Sequence, residues 1–278
     1  MNSTMRIAGV QMDIEIGKPQ ANLKRILDFL EQTKSAGAHL TVFPECALTG
    51  YCFDSRTEAM AYAESIPGPS CDKLLEVCRI LGVFVVMGML EVEGNKLFNA
   101  CVLVGPNGVV NGYRKIHLPF LGVDRFADPG DRPFAVYDVD GMRVGMNICY
   151  DSAFPESARV MALDGADLIV LPTNFPPGGE CTAEHVINAR AMENNVYYAS
   201  VNRVGVEGGF SFIGKSKICD PNGKVLSEAP NTNESILYAD VDVERARTKR
   251  IVRVPNKFVI DRIADRRPEL YGRVSEPN

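Results

Sequence analysis

Three residues of complementary chemistry stand at places of one kind along this chain. Glu45 closes the run Leu40-Thr41-Val42-Phe43-Pro44, Lys115 follows Val109-Val110-Asn111-Gly112-Tyr113-Arg114, and Cys149 follows Val144-Gly145-Met146-Asn147-Ile148. Each run reads as an apolar strand, and open α/β sheets carry their chemistry at strand ends. A carboxylate, an ammonium and a thiol gathered there make a nucleophile with its own base and its own electrophilic clamp. The reaction this implies is hydrolysis at a carbon bonded to nitrogen. Taken singly, Glu45 could be a capping or ion-paired acid, Lys115 a solvated lysine and Cys149 a buried structural thiol. Joint placement at strand ends argues against all three being incidental. Cys149 also sits between a strand and a helix introduced by Pro155, a turn that points backbone N–H groups at its side chain. Cys46 adjoins Glu45 but has nothing around it to activate it.

The elements that must position these residues alternate. Strand patterns cover residues 5–12, 40–43, 83–92, 97–104 and 109–113, with helices over 19–36 and 71–81. A second, similar half has strands over 134–139, 142–148, 168–171, 196–201, 215–219, 224–226 and 235–241, with helices over 156–164 and 182–194. Gly105-Pro106-Asn107-Gly108, Asp140-Gly141 and Pro221-Asn222-Gly223 mark hairpins. Hairpins between helix-linked strands call for mixed sheets. The predicted fold class is α/β, a four-layer α-β-β-α sandwich with two mixed β-sheets packed face to face and helices outside. No linker or low-complexity stretch divides the chain, so residues 1–278 are expected to form one domain.

Composition narrows the class. The chain has 278 residues, 46% apolar and 23% charged, with 30 basic against 35 acidic side chains. No basic excess points to nucleic acid, and no apolar run is long enough to span a bilayer. The first residues show no export-signal pattern, so a cytoplasmic location is expected. Eight cysteines without Cys-x-x-Cys spacing read as free thiols, and three scattered histidines offer no metal site. Neither Gly-x-Gly-x-x-Gly nor Gly-x-Ser-x-Gly occurs, which disfavours a dinucleotide-binding protein or a serine hydrolase. No cofactor is expected.

Phe43-Pro44-Glu45, Tyr113-Arg114-Lys115-Ile116-His117-Leu118-Pro119 and Ile148-Cys149-Tyr150-Asp151 with Phe154-Pro155-Glu156 resemble the signatures of the nitrilase superfamily of carbon–nitrogen hydrolases. Gln11, Leu48-Thr49-Gly50-Tyr51, Asp128-Pro129-Gly130-Asp131 and Arg190-Ala191-Met192-Glu193-Asn194 extend the resemblance to about residues 5–245. It implies a Glu45–Lys115–Cys149 catalytic triad, with Lys115 and the Tyr150 backbone N–H holding the oxyanion and a thioester on Cys149. Tyr150-Asp151 is more similar to the amidase and carbamoylase branches than to nitrile-hydrolysing members, which tend to carry Trp-Glu there. A linear amide or N-carbamoyl compound is therefore the expected substrate, with a nitrile, or a non-catalytic small-molecule-binding role, as alternatives.

Departures from the pattern matter too. Members commonly carry a second glutamate soon after the lysine, and here only Asp124 is available, either as a substrate-positioning acid or as a partner of Arg125. Ser152-Ala153 stand where some members place a carboxylate-binding arginine, which disfavours an α-carboxylate substrate. Pro172–Gly179 is expected to form one pocket wall, with Asn174 bonding the substrate amide, and Tyr51 with Phe53 another. Arg190 and Glu193 read as an intrahelical pair, His185 as structural, and Glu156 as a helix-dipole acid. Arginines crowd the tail, residues 243–278, but interleaved acids argue against a nucleic-acid arm. In the resembling family this region often reaches across a dimer, so a homodimer or higher homo-oligomer is expected, paired through helix faces near the active-site helices with the tail contributing.

Overall fold

A computed structural model describes residues 4–276. The first half of the chain runs β1 (Thr4–Gln11), α1 (Pro19–Ser35), β2 (Leu40–Val42), α2 (Arg56–Met60), α3 (Pro69–Leu81), β3 (Phe84–Glu93), β4 (Lys96–Gly105) and β5 (Gly108–Arg114). The second runs β6 (Val136–Val139), β7 (Met142–Met146), α4 (Pro155–Leu163), β8 (Leu168–Thr173), α5 (Ile187–Asn194) and β9 (Tyr197–Asn202). It continues through a short ribbon, β10 (Val206–Glu207) and β11 (Phe210–Ser211), then β12 (Lys217–Cys219), β13 (Val225–Glu228) and β14 (Ser235–Asp242). Last come α6 (Val243–Arg247) and a hairpin, β15 (Arg250–Val254) with β16 (Phe258–Asp261).

Two six-stranded sheets result, ordered β14-β1-β2-β3-β4-β5 and β13-β12-β9-β8-β7-β6. Both are mixed: β1, β2 and β3 run parallel, as do β7, β8 and β9, and the remaining pairs are antiparallel. Alternation along the strands explains the layering. Val85, Met87 and Met89 of β3 face Ile26 and Leu30 of α1 and Leu74 and Cys78 of α3. Phe84 and Val86 point the other way, into a core shared with Ile7, Val42, Val144, Leu168 and Val201. That core continues through the second sheet to Met161 of α4 and Ile187 of α5. Strands covered on both faces must be apolar throughout, which is why these runs lack an alternating polar residue. The four-layer α-β-β-α sandwich is the observed architecture.

Local signals placed most boundaries. Proline occupies the first turn of α1, α3 and α4, where its missing N–H costs nothing. Asp140 and Gly141 adopt φ of 50° and 89° between the paired residues Val139 and Met142, the two-residue turn that suits strand twist. The helix expected over 182–194 begins as a π-helical turn, Thr182–Val186, before α5. In the tail, Asp242 caps α6 by accepting from Arg245 N, and Arg247 reaches buried Asp167 at 2.9 Å. No helix among the described residues is long and apolar enough to cross a membrane.

Candidate active site

Each of the three reactive side chains leaves a strand end. Beyond β2 the chain crosses over β3, held by Phe43 N–H to Val86 O at 2.9 Å and Leu48 N–H to Gly88 O at 3.1 Å. The crossing is close: a Cβ at Gly88 would lie 2.3 Å from Pro44 O and 2.7 Å from Glu45 Cα. Glycine at 88 is thus what lets Glu45 reach its place. Lys115 immediately follows β5, with its N–H on Asn99 O at 2.8 Å. Cys149 opens a 3-10 turn, Cys149–Ala153, with a left-handed φ of 46°. A non-glycine residue holds that conformation only where its surroundings impose it. Here Ser152 Oγ donates to Cys149 O at 2.7 Å, and Arg190 Nε donates to Ser152 O at 3.0 Å while its other arm pairs with Glu193 at 2.8 Å.

The side chains meet in a buried polar cluster. Lys115 Nζ donates to Glu45 Oε1 at 2.7 Å and to Asp124 Oδ2 at 2.5 Å. Asn99 Nδ2 bridges the same two acids, at 2.7 Å to Glu45 Oε1 and 2.8 Å to Asp124 Oδ1. Tyr51 OH donates to Asp124 Oδ2 at 2.8 Å. Glu45 and Lys115 are 0% exposed and Cys149 6%. Glu45 Oε2 is buried without a hydrogen-bond partner.

Electrostatics follow from this packing. Burial raises the Glu45 pKa, Lys115 opposes that rise, and the Asp124 charge adds to it. Burial alone would neutralise Lys115, but the Asp124 and Glu45 carboxylates outweigh it and hold the ammonium's pKa well above its usual value. Burial and the Glu45 charge push the Cys149 thiol up to about 12, against the pull of Lys115, the Thr173 hydroxyl and the Asn174 backbone N–H. Burial thus disfavours the thiolate of Cys149, and Glu45 keeps one oxygen without a hydrogen-bond partner.

The other residues singled out in the sequence fall as follows. Asp124 engages Lys115, Asn99 and Tyr51, whereas Arg125 bonds the carbonyls of Gly122 and Phe53 instead of Asp124. Asn174 is buried with both amide atoms unpartnered, one residue past Thr173, whose buried hydroxyl faces the Cys149 thiol. Phe53 stacks on Tyr62 at 5.6 Å, and both pack in the cluster that contains Tyr51. The Tyr150 ring is exposed and lies edge-on to Phe154. His185 and Glu156 are exposed. Cys46 is buried, and burial with the Glu45 charge holds its thiol well above the usual pKa. Sequence reasoning missed Asn99 and Thr173. Asn99 carried a signal, as the one polar residue inside the apolar run Leu97–Val104, whereas Thr173 is an ordinary strand residue by type.

Known proteins resemble this chain along nearly its whole length. A family model described as carbon–nitrogen hydrolase matches residues 6–251. A protein named nitrilase from Pyrococcus abyssi is 41% identical over 270 residues, covering 97% of this chain and 100% of its own. An omega-amidase from Mus musculus is 34% identical over 255 residues, covering 87% of this chain and 90% of its own. Among solved structures, a variant of the amidase from Nesterenkonia sp. AN1 in complex with acrylamide superposes with a TM-score of 0.80 at 27% identity, covering 97% of this chain and 96% of its own. Another variant of that amidase shows covalent addition of the acetamide moiety of fluoroacetamide at its active site cysteine.

Proposed function

Since the chain belongs to the carbon–nitrogen hydrolase family, we propose that it is a thiol amidohydrolase that cleaves the C–N bond of a small linear amide or N-carbamoyl compound through a thioester on Cys149. The observation that carries this reading is the division of labour on Glu45. One oxygen is pinned by Lys115 and Asn99, and the other is buried, unpartnered and within electrostatic reach of a protonated thiol. In this mechanism Sγ attacks the carbonyl carbon as its proton passes to Glu45 Oε2. Lys115 Nζ and the Tyr150 backbone N–H hold the oxyanion. The tetrahedral intermediate collapses, Glu45 returns the proton to the departing nitrogen, and ammonia or an amine leaves. Water, deprotonated by Glu45, then attacks the thioester, and the second tetrahedral intermediate expels the Cys149 sulfur, which takes the proton back from Glu45 as the acid product leaves. Asp124 keeps Lys115 charged, and Tyr51 holds Asp124 in place.

Enclosure supports a small substrate. With Cys149 only 6% exposed and its partners fully buried, a long chain could not reach the sulfur without displacing the walls. The unpaired carboxamide of Asn174 offers a donor and an acceptor to a polar, uncharged group. Binding of acrylamide by the Nesterenkonia amidase variant points the same way. The name of the Pyrococcus relative keeps a nitrile as the second reading.

Glu45 and Lys115 come from the first sheet and Cys149 from the second, so the reading treats residues 1–278 as one domain. It also treats the active form as a homodimer. The tail presents Val252, Val254, Phe258, Val259, Leu270 and Val274 exposed, an apolar surface suited to a second copy. A cleft of about 860 Å³ between α4 and the tail, lined by Arg159, Ile260, Arg266 and Tyr271 among others, adjoins it.

The test is ammonia release from a panel of amides, N-carbamoyl amines, ureas and nitriles, with Cys149→Ala in parallel. Turnover of amides or carbamoyl compounds that disappears in the variant supports the proposal. Preference for nitriles would move the chain to the second reading, and an active Cys149→Ala would remove the thioester altogether.

A further inference from the structure

One buried carboxylate joins the two halves of the site. Asp151, 0% exposed, lies two residues beyond the nucleophile in the second sheet's turn. Its Oδ2 accepts Tyr113 OH at 2.7 Å and Ile148 N–H at 2.9 Å. Its Oδ1 accepts His117 N–H at 3.2 Å and faces His117 Nδ1 at 2.7 Å, a donor when that nitrogen carries the proton. Tyr113 stands two residues before Lys115 and His117 two after, so one acid grips both flanks of the lysine together with the residue that leads into the cysteine. Aromatic packing stiffens the grip: the His117 ring stacks on Phe154 at 3.7 Å and 12°, and Tyr113 on Phe134 at 5.5 Å.

We propose that Asp151, clasped by Tyr113 and His117, is a positioning residue that sets the separation of the Lys115 ammonium from the Cys149 sulfur and keeps Cys149 in its left-handed backbone. The physical argument concerns what apolar packing leaves undetermined. Sheet-on-sheet contacts are non-directional and resist small slides weakly, whereas the directional bonds that Tyr113 and His117 on the first-sheet side give to buried Asp151 on the second do not. Attack by sulfur and stabilisation of the oxyanion must occur on one carbonyl group, and misplacement by about 1 Å can cost roughly 10²-fold. This gives Asp151, which the sequence offered only as a marker of branch, a mechanical task. The inference rests on the amidohydrolase reading for its kinetic consequence and not for its geometric one.

The experiment uses the full chain with Tyr113→Phe, which removes one hydroxyl, and Asp151→Asn, with Asp151→Glu as the charge-conserving variant one methylene longer. Crystal structures of wild type and Tyr113→Phe measure the Lys115 Nζ to Cys149 Sγ separation whether or not a substrate is known. Kinetics on the best amide of the panel give kcat and KM, and mass spectrometry gives the rate of Cys149 alkylation by iodoacetamide, which needs no oxyanion clamp. Expected are a changed separation, kcat lower by roughly ten- to a hundredfold, KM within threefold, alkylation within threefold, and no rescue by Asp151→Glu. An unchanged separation, or turnover within twofold of wild type in both Tyr113→Phe and Asp151→Asn, overturns the inference. So does a kcat loss matched by an equal loss of folded protein, since that is a merely structural role. A wild type silent on every substrate counts against the hydrolase reading instead, and the crystallographic separation still decides the clasp.

Discussion

Glu45 is asked to take a proton through one oxygen while the other is held, so its ionisation should govern the acid limb of activity. Burial raises its pKa, and kcat/KM should therefore fall, as pH drops, above the value of about 4.3 typical of a free glutamate. The neighbours shift it in opposite senses. Asn99 donates to the ionised form and lowers the pKa, so Asn99→Leu should move the acid limb to higher pH. The Asp124 charge raises it, so Asp124→Asn should move the limb to lower pH while also weakening the hold on Lys115. A pH–rate profile of both variants checks this, and shifts in the same direction would sink the assignment of the limb to Glu45. Glu45→Gln should lower kcat by roughly 10²–10⁴-fold, the usual worth of general acid–base help. Lys115 would keep Asp124 as its partner in that variant, so a folded protein is expected by circular dichroism.

Elements carry these residues to within hydrogen-bond reach, and one crossing is tight enough to test. Gly88 on β3 lies under the Pro44–Cys46 backbone, where an added Cβ meets main-chain atoms that have no rotamer to yield. Gly88→Ala should cost about 1–3 kcal/mol as overpacking, which for a chain of this size is a fall in Tm of roughly 2–4 °C per kcal/mol. It should also displace Glu45, so turnover should fall further than the loss of folded protein accounts for, as measured by active-site-normalised kcat beside a thermal melt. Equal losses would make Gly88 a packing residue only. The strand ends themselves were readable, because runs buried on both faces announce themselves as apolar and their hairpin turns by Asp-Gly and Asn-Gly. The π-helical start of the 182–194 helix was not, since Thr182–Val186 carries ordinary helical residue types and nothing in its spacing marks the place where it lies against the Cys149 turn.

On the scale of the whole molecule, the tail gathers exposed apolar side chains, from Val252 to Val274, in one stretch of chain. Light scattering at micromolar concentration should give twice the 30.5 kDa chain mass. Phe258→Lys combined with Val252→Lys should shift the protein toward monomer, because each exposed apolar side chain loses its gain on burial and adds a charge that must be desolvated. An unaltered mass would place the interface elsewhere. The tail's anchor is separate from this surface: Arg247 holds buried Asp167, and Lys249 Nζ donates to Asn195 O at 2.7 Å. The two substitutions should accordingly leave the melting temperature of the body within a few degrees.

What the sequence by itself determined was the set of residue types and the periodicity around them. Glu45, Lys115 and Cys149 stood out because each follows an apolar run, and the alternation of strands and helices with glycine-bearing hairpins dictated mixed sheets in layers. Those are local properties, set by propensity, burial of both strand faces and turn stereochemistry. Whether Asp124 would serve the site or merely pair with its neighbour Arg125 was open, since either use suits an acid at that position. Only the tertiary structure decided it, by bringing Asn99 and Tyr51 from distant segments to occupy the same carboxylate. The free oxygen of Glu45, the unpaired amide of Asn174 and the grip of Asp151 on both flanks of Lys115 are likewise properties of packing. A hydrogen bond between residues far apart in the chain exists only once two sheets have met, and no spacing along one strand encodes it.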